Sequence, residues 1–279
     1  MGYVLRTIEP TERNGPALRE WLVQGLAADL RDVAIARLFA EREDLLADCD
    51  SLVCASQVHD PAAVGVLAAA WKRVPSGWPF LHVTLQLVAQ RHQRTNLLAK
   101  LWGEQLLRFD WSRLTLPLIF AWRTYHPAAL GLLSRFATHP GCQVYPPVCG
   151  PPAPKLEGLA REIAATICPG AEFCEETGVI RGTGRPADLY RRLPDSRHQI
   201  VVDYFRAHLR AGDRVLCVLS LADDGAARRI LRTCGLRARG RVGTGDCGVI
   251  RRCDRREGCE WHHHLLEPGG GAHVWLLGE

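Results

Sequence analysis

From Leu85 to Leu98 the chain reads Leu-Gln-Leu-Val-Ala-Gln-Arg-His-Gln-Arg-Thr-Asn-Leu-Leu, an alternating apolar run that passes into the start of a helical period. A strand entering a helix through a tight turn leaves the first helical N–H groups unpaired and aimed at one spot. That is a ready site for a phosphate or pyrophosphate, and the amides of Gln93, Arg94, Thr95, Asn96 and Leu97 would supply it. Arg91 and Arg94 add positive charge beside the turn. His82, in the apolar run before it, titrates near neutral pH and suits a general base. Tyr125, just past the apolar run Leu114 to Trp122, can donate a proton or touch a substrate, and Ser134 follows as a weaker hydroxyl candidate. Each also has a plain structural reading: a strand histidine with a backbone partner, an aromatic at a helix start, solvated arginines.

The elements that must position these residues follow from periodicity. Tyr3 to Ile8 alternates as a strand and ends at Pro10 and Asn14-Gly15-Pro16. Ala17 to Phe39 carries apolar residues at three- and four-residue spacing, one or two amphipathic helices. Ser51 to Gln57, Ala63 to Lys72 and Phe80 to Ala89 read as a meander of three strands, the first two separated by His59-Asp60-Pro61. Arg94 to Phe109 is helical, Leu114 to Trp122 a strand, and His126 to Phe136 a helix opened by Pro127. Since Phe80 to Ala89 and Leu114 to Trp122 are joined by a helix, they are expected side by side and parallel.

The proline-rich stretch Tyr145 to Pro154 marks a boundary, giving units of 1–147 and 155–279. The second unit reads as helix (Lys155 to Ile167), strand (Phe173 to Arg181), helix (Arg197 to Leu209), strand (Arg214 to Leu221) and helix (Asp223 to Cys234). Two β-like runs, Glu260 to Leu266 and Ala272 to Leu277, close the chain. Arg181-Gly182-Thr183-Gly184-Arg185 is Gly-rich but lacks the Lys-Ser/Thr of a phosphate-binding loop, so a surface loop is its default reading. Cys247, Cys253 and Cys259 with His262, His263 and His264 resemble a metal cluster, but the six-residue cysteine spacing is wider than zinc sites favour, and no metal is expected. The fold class is therefore α/β (α+β): a mixed, mostly antiparallel sheet flanked by helices, plus a second α/β unit.

Composition excludes several classes. With 47% hydrophobic and 23% charged residues the chain is neither disordered nor collagen-like. Its longest apolar runs fall short of the roughly 20 residues that span a bilayer, and the N-terminus lacks a basic-then-apolar leader, so a cytoplasmic protein without membrane contact is expected. The 11 cysteines are odd in number and scattered through apolar runs, which suits reduced core thiols. The formal charge of +5 comes almost wholly from arginine, and as a signal for nucleic acid it is discounted.

The element order over residues 1–145 resembles the GNAT acetyltransferase fold. Val64-Gly65 entering Val66 to Trp71 is similar to that family's second-to-third strand hairpin. Leu85 to Leu98 stands where the family places its fourth strand and acyl-CoA loop, and Arg123-Thr124-Tyr125-His126-Pro127 resembles the Thr-x-Asn-Pro that opens the helix after the fifth strand. The resemblance implies an N-acyltransferase that moves an acetyl or longer acyl group from CoA to a small-molecule or peptide amine. Acetyl-CoA or another acyl-CoA would lie against Leu87, Val88, Gln93, Arg94, Thr95, Asn96, Leu97 and Leu98, and His82, Tyr125 and Ser134 would be the chemical candidates.

The chain departs from the family pattern at Asn96 and Leu98, where small residues stand in the consensus, and at Leu133, at or next to the usual Tyr acid. A non-catalytic acyl-CoA-binding or regulatory module is therefore the alternative, and an Arg-rich nucleic-acid-binding module over residues 205–256 is a third reading. The second unit is expected to pack near His82 and Tyr125 through Phe173 to Arg185 and Arg197 to Leu209, with Arg181 and Arg185 suited to an acceptor bearing a carboxylate or phosphate.

Overall fold

The chain begins with strand β1 (Tyr3–Thr7), and the long helical period after it divides into α1 (Pro16–Asp29) and α2 (Ile35–Glu41). Pro16 opens α1, where its missing N–H leaves no hydrogen bond unmade. In the computed structural model, residues 2–42, 45–93, 95–107, 116–149, 153–192, 199–233 and 272–275 are described. Strands β2 (Ser51–Gln57), β3 (Asp60–Arg73) and β4 (Pro79–Val88) form an antiparallel meander. Helix α3 (Leu97–Leu107) then crosses to β5 (Leu118–Thr124), which lies parallel to β4, and α4 (Pro127–Ala137) follows. His126 caps α4 by accepting a hydrogen bond from the amide of Ala128 at 3.2 Å.

The remaining described elements are β6 (Cys142–Tyr145), α5 (Pro154–Ile167), the hairpin β7 (Phe173–Cys174) and β8 (Val179–Ile180), α6 (Gln199–His208), β9 (Arg214–Leu221), α7 (Asp224–Thr233) and β10 (Ala272–Trp275). Where a single strand was expected over Phe173 to Arg181, the chain reverses. Gly178 has φ +66°, a conformation that favours glycine, and a Cβ there would stand 3.1 Å from the Tyr145 ring.

One mixed sheet runs in the order β10-β1-β2-β3-β4-β5-β9-β8-β7, with β6 also on β9. β9 lies between β5 on one edge and, on the other, β6 at its C-terminal end and β8 at its N-terminal end. The proline-rich segment at 145–154 thus divides the chain but not the sheet, because β9, from the later stretch, pairs with β5 and β6 from the earlier one. All eight residues of β9 are buried. Val215, Cys217, Leu219 and Leu221 join one apolar cluster with α1, α3 and α4, while Leu216 and Val218 join a second beneath α5 with Ile119, Ala121 and Ile163. This is the period-two alternation of a strand covered on both faces. Among the described residues no helix is long and apolar enough to cross a membrane.

α1 approaches β3 so closely that a Cβ on Gly25 would lie 2.4 Å from the backbone nitrogen of Ala63. Because the obstacle is backbone, it cannot swing aside. Gly25→Ala is expected to destabilise the fold by about 1–3 kcal/mol through displacement of the helix, outweighing alanine's better helix propensity. Urea unfolding of the variant checks this, and an unchanged or higher midpoint would contradict the close approach.

Candidate active site

β4 and β5 pair over three positions only: Leu81 with Phe120, His82 with Ala121 and Val83 with Trp122. The register of β4 on β3 then slips, since Ala68 faces Leu85 while Ala69 faces Val83, so Thr84 is an extra residue in β4. Such a bulge bends its strand and sharpens the local twist. From Thr84 to Val88, β4 keeps β3 as a partner on one edge but has no β5 partner on the other among the described residues. The gap is a cleft of about 920 Å³. Thr84, Leu87 and Val88 line its β4 side, Trp122 to Tyr125 its β5 side, and Ala128, Leu132 and Arg135 of α4 its floor.

At the end of β4 the chain makes a single 3-10 turn, Gln90–His92, before α3. Several amides expected to face a pyrophosphate are already paired within the turn. The amide of Gln93 donates to the Gln90 carbonyl at 3.2 Å, that of Thr95 to the His92 carbonyl at 3.2 Å, and that of Leu97 to Thr95 Oγ1 at 3.1 Å. Of the amide cradle expected over Gln93 to Leu97, the amides of Gln93, Thr95 and Leu97 are thus engaged within the turn. Arg94 lies outside the described residues. Gln93, Leu98 and Arg91 do line the cleft, whereas Leu97 is fully buried in the core. The turn is tied to β1, where Tyr3 Oη lies 2.9 Å from His92 Nδ1 and donates to Thr95 Oγ1 at 3.2 Å. Neither Tyr3 nor His92 was marked by the sequence, because they stand 89 residues apart in the chain.

The cleft is strongly cationic. Arg42, Arg91, Arg123, Arg135, Arg185 and Arg214 line it, against Asp32 as the one acidic residue among the described residues there. Asp32 is itself paired with Arg192 at 3.0 Å. His82 is 5% exposed, and its Nδ1 is buried without a hydrogen-bond partner. Burial, followed by the charges of Arg123, Lys72 and Arg42, pushes its pKa down to about 3. Burial and the neighbouring charges thus work against the proton-accepting role expected of His82. A proton moved from an ammonium to this imidazole climbs several pKa units at about 1.4 kcal/mol each.

Tyr125 stacks on Tyr190 with centroids 5.7 Å apart and meets Phe205 of α6 edge-on at 6.2 Å. The expected approach of the later stretch to Tyr125 is thus present, through Thr183 to Arg192 as well as α6. That segment also reaches the α1–α2 loop and α2, where Ala34 of the loop donates to the Leu189 carbonyl at 2.8 Å and Arg37 of α2 pairs with Asp188 at 2.7 Å. Tyr190 had no signal in the sequence. Ser134 stands apart from the cleft: its hydroxyl donates to the Leu130 carbonyl at 3.2 Å, and it is not among the lining residues. Leu133 is fully buried, so α4 presents no tyrosine there. Arg181 is likewise engaged, donating to Asp213 at 2.7 Å and to the His208 carbonyl at 2.8 Å. Among the described residues no group of His, Cys, Asp and Glu could hold a metal ion, and the cluster at 247–264 lies outside them.

The strand order, with parallel β4 and β5 parting around a cleft, is the GNAT-like arrangement that the sequence resemblance implied. No family model and no curated protein matches the sequence. Among solved structures the chain is similar to an aminoglycoside acetyltransferase from an uncultured soil metagenomic sample, with 19% identity and a TM-score of 0.36 over 50% of this chain and 93% of that one. It is also similar to an acetyltransferase of the GNAT family from Streptococcus pneumoniae, with 17% identity and a TM-score of 0.34 over 51% and 88%. A third is Arabidopsis thaliana Naa50 in complex with a bisubstrate analogue, with 12% identity and a TM-score of 0.33 over 52% and 86%. Likeness at this level bears on neither substrate nor activity, which have to be argued from the cleft itself.

The state of His82 has a consequence for acid stability. Its folded pKa, about 3, lies below the ordinary 6.5, so below pH 6.5 the unfolded chain takes up a proton that the folded protein refuses. The contribution is intact above pH 6.5 and falls as pH drops towards 3, by up to about 1.4 kcal/mol per pH unit. His92 and His126, also lowered by burial, act in the same direction. A His82→Phe variant is expected to lose stability less steeply over this window, by one proton's worth of slope in urea titrations. An unchanged slope would contradict a buried neutral His82.

Proposed function

We propose that this chain is an N-acyltransferase that uses acetyl-CoA or another acyl-CoA, held in the cleft between β4 and β5, to acylate an amine. The observation that carries the reading is the edge of β4 from Thr84 to Val88, which has no β5 partner among the described residues and on which only the Val88 carbonyl is met, by Gln93 Nε2 at 3.2 Å. An unpaired strand edge inside a cleft can hydrogen-bond an extended, amide-bearing chain as though it were another strand, and the pantetheine arm of CoA is such a chain. Thr84 Oγ1, buried without a partner, lies on the same edge. Arg91, with Arg94 beside it in sequence, would meet the phosphates at the start of α3.

Bound acyl-CoA supplies the thioester; the chain's own residues supply the field and the orientation. An arginine-rich wall lowers the pKa of an ammonium brought into it, which favours the neutral, nucleophilic amine without a carboxylate base. The same charges stabilise negative charge that develops on the thioester oxygen and on the departing sulfur. Tyr125 is the proton donor that the geometry offers, from the β5 side. On this reading residues 1–147 carry the cofactor wall and the later stretch, through Thr183 to Arg192, the acceptor wall. A second reading, acyl-CoA binding without turnover, is favoured by the neutral His82 and by Leu133 where a tyrosine acid would stand.

Calorimetry and turnover separate these readings. Acetyl-CoA is expected to bind the wild-type protein, and Arg91→Glu to weaken it by about 1–3 kcal/mol through loss of a charge-assisted contact and added repulsion. Absence of binding ends both readings. Release of free CoA thiol with a panel of amines supports the enzyme, and binding with no release across the panel supports the module.

A further inference from the structure

On the β5 side of the cleft two arginines stand without an ion-pair partner among the described residues, Asp213 acting on Arg214 only at longer range. Arg214, the first residue of β9, is only 7% exposed and lines the cleft. Its guanidinium donates to two backbone carbonyls, those of Asp213 at 2.7 Å and Pro186 at 3.4 Å, and lies over the Tyr125 ring at 5.6 Å. Arg123, on the neighbouring strand, donates to Cys168 Sγ at 2.9 Å and to the Thr183 carbonyl at 3.4 Å. Among the described residues neither these two nor Arg185 forms an ion pair with a carboxylate.

A buried cation whose partners are neutral is strongly disfavoured unless a counter-ion arrives. Here buried Arg214 and half-buried Arg123 face the same cleft and repel each other, and burial together with Arg123 holds the pKa of Arg214 below the usual arginine range. The backbone has been shaped to admit the guanidinium, because a Cβ on Gly184 would stand 2.2 Å from its Cζ. Two further polar atoms at this end, Thr183 Oγ1 and His82 Nδ1, are buried and have no partner. Four unsatisfied or uncompensated groups around one space describe a missing anion. The planar guanidinium fork matches a carboxylate best.

We infer that the acceptor is a small amine that also carries a carboxylate, and that this carboxylate docks between Arg123, Arg214 and the Thr183 hydroxyl. The inference rests on the acyl-transfer reading and adds the substrate class to it. The carboxylate restores neutrality around the two arginines and turns the amine of the same molecule into the cleft. Arg185 stands at the exposed rim, where it steers rather than clamps. The CoA phosphates belong to the other wall, beside Arg91, so the two anion sites separate by mutation.

The test uses the full chain saturated with CoA and titrates, by calorimetry, the N-acetyl derivatives of the common amino acids, the matching N-acetyl amino acid amides, and N-acetyl phosphoethanolamine. At least one N-acetyl amino acid is expected to bind ~10- to 100-fold more tightly than its amide, the range for losing a charged hydrogen-bonded anchor. Arg214→Lys, which keeps the charge and loses the fork, and Arg123→Gln, at a half-buried position, should each cut that preference about tenfold while leaving the acetyl-CoA affinity unchanged. Amides binding as tightly as acids, a preference for the phosphorylated amine, or a preference untouched in both variants would overturn the inference. Failure of the wild-type protein to bind acetyl-CoA is a separate result, which ends the acyl-transfer reading itself.

Discussion

β4 and β5 are held side by side for three residue pairs and then forced apart, and the organisation of the cleft depends on this short pairing. Parallel neighbours require a crossover, which α3 provides, and the crossover fixes where both strands begin. The extra residue at Thr84 then bends β4 while β5 stays straight against β9. Without the bulge the two strands would go on pairing and the cleft would be filled with ladder hydrogen bonds. With it, a strand edge with ordinary hydrogen-bonding capacity is left open inside the protein, where a ligand and not another strand can complete it.

The electrostatics of the cleft follow from the same geometry. Because β5 pairs with β9 up to Thr124, the guanidinium of Arg123 on β5 and that of Arg214 on β9 are brought to one end of the opening. The wall from Thr183 to Arg192 then limits their access to solvent. Burial, reinforced by the charges of Arg123, Lys72 and Arg42, keeps a histidine at the root of the cleft neutral, and the one carboxylate among the described lining residues, Asp32, is held by Arg192. Neutral His82 and the uncompensated arginines are two expressions of one environment, in which positive charge is unwelcome and negative charge is anticipated.

Much of the first half was legible from periodicity. Strands β2 to β5 and helices α3 and α4 lie within a few residues of the runs that predicted them, because each has an apolar pattern long enough to declare its period. β6 was not legible: four residues beside a proline-rich segment carry no period. The hairpin of β7 and β8 read as one strand, since Gly178 alone marks the reversal. The site was harder still. His82 and Tyr125 lie in or beside the cleft as the order of elements suggested, but Ser134 falls on the wrong face of α4, one position away from the lining residue Arg135. Tyr190 and Arg214 went unmarked because they belong to a stretch that reads as a separate unit, and only long-range strand pairing brings that stretch to β5.

The position of β9 also governs how this chain can be made. β5 and β6 emerge from the ribosome well before their common partner, so during synthesis the nascent chain carries two apolar strand edges with nothing to pair them. Their closure waits for residues 214–221 and is a high-contact-order event, of the kind that slows folding and invites association with other chains. The stretch between β6 and β9 is long enough to build one wall of the cleft, and its length is paid in the time for which the sheet stays incomplete.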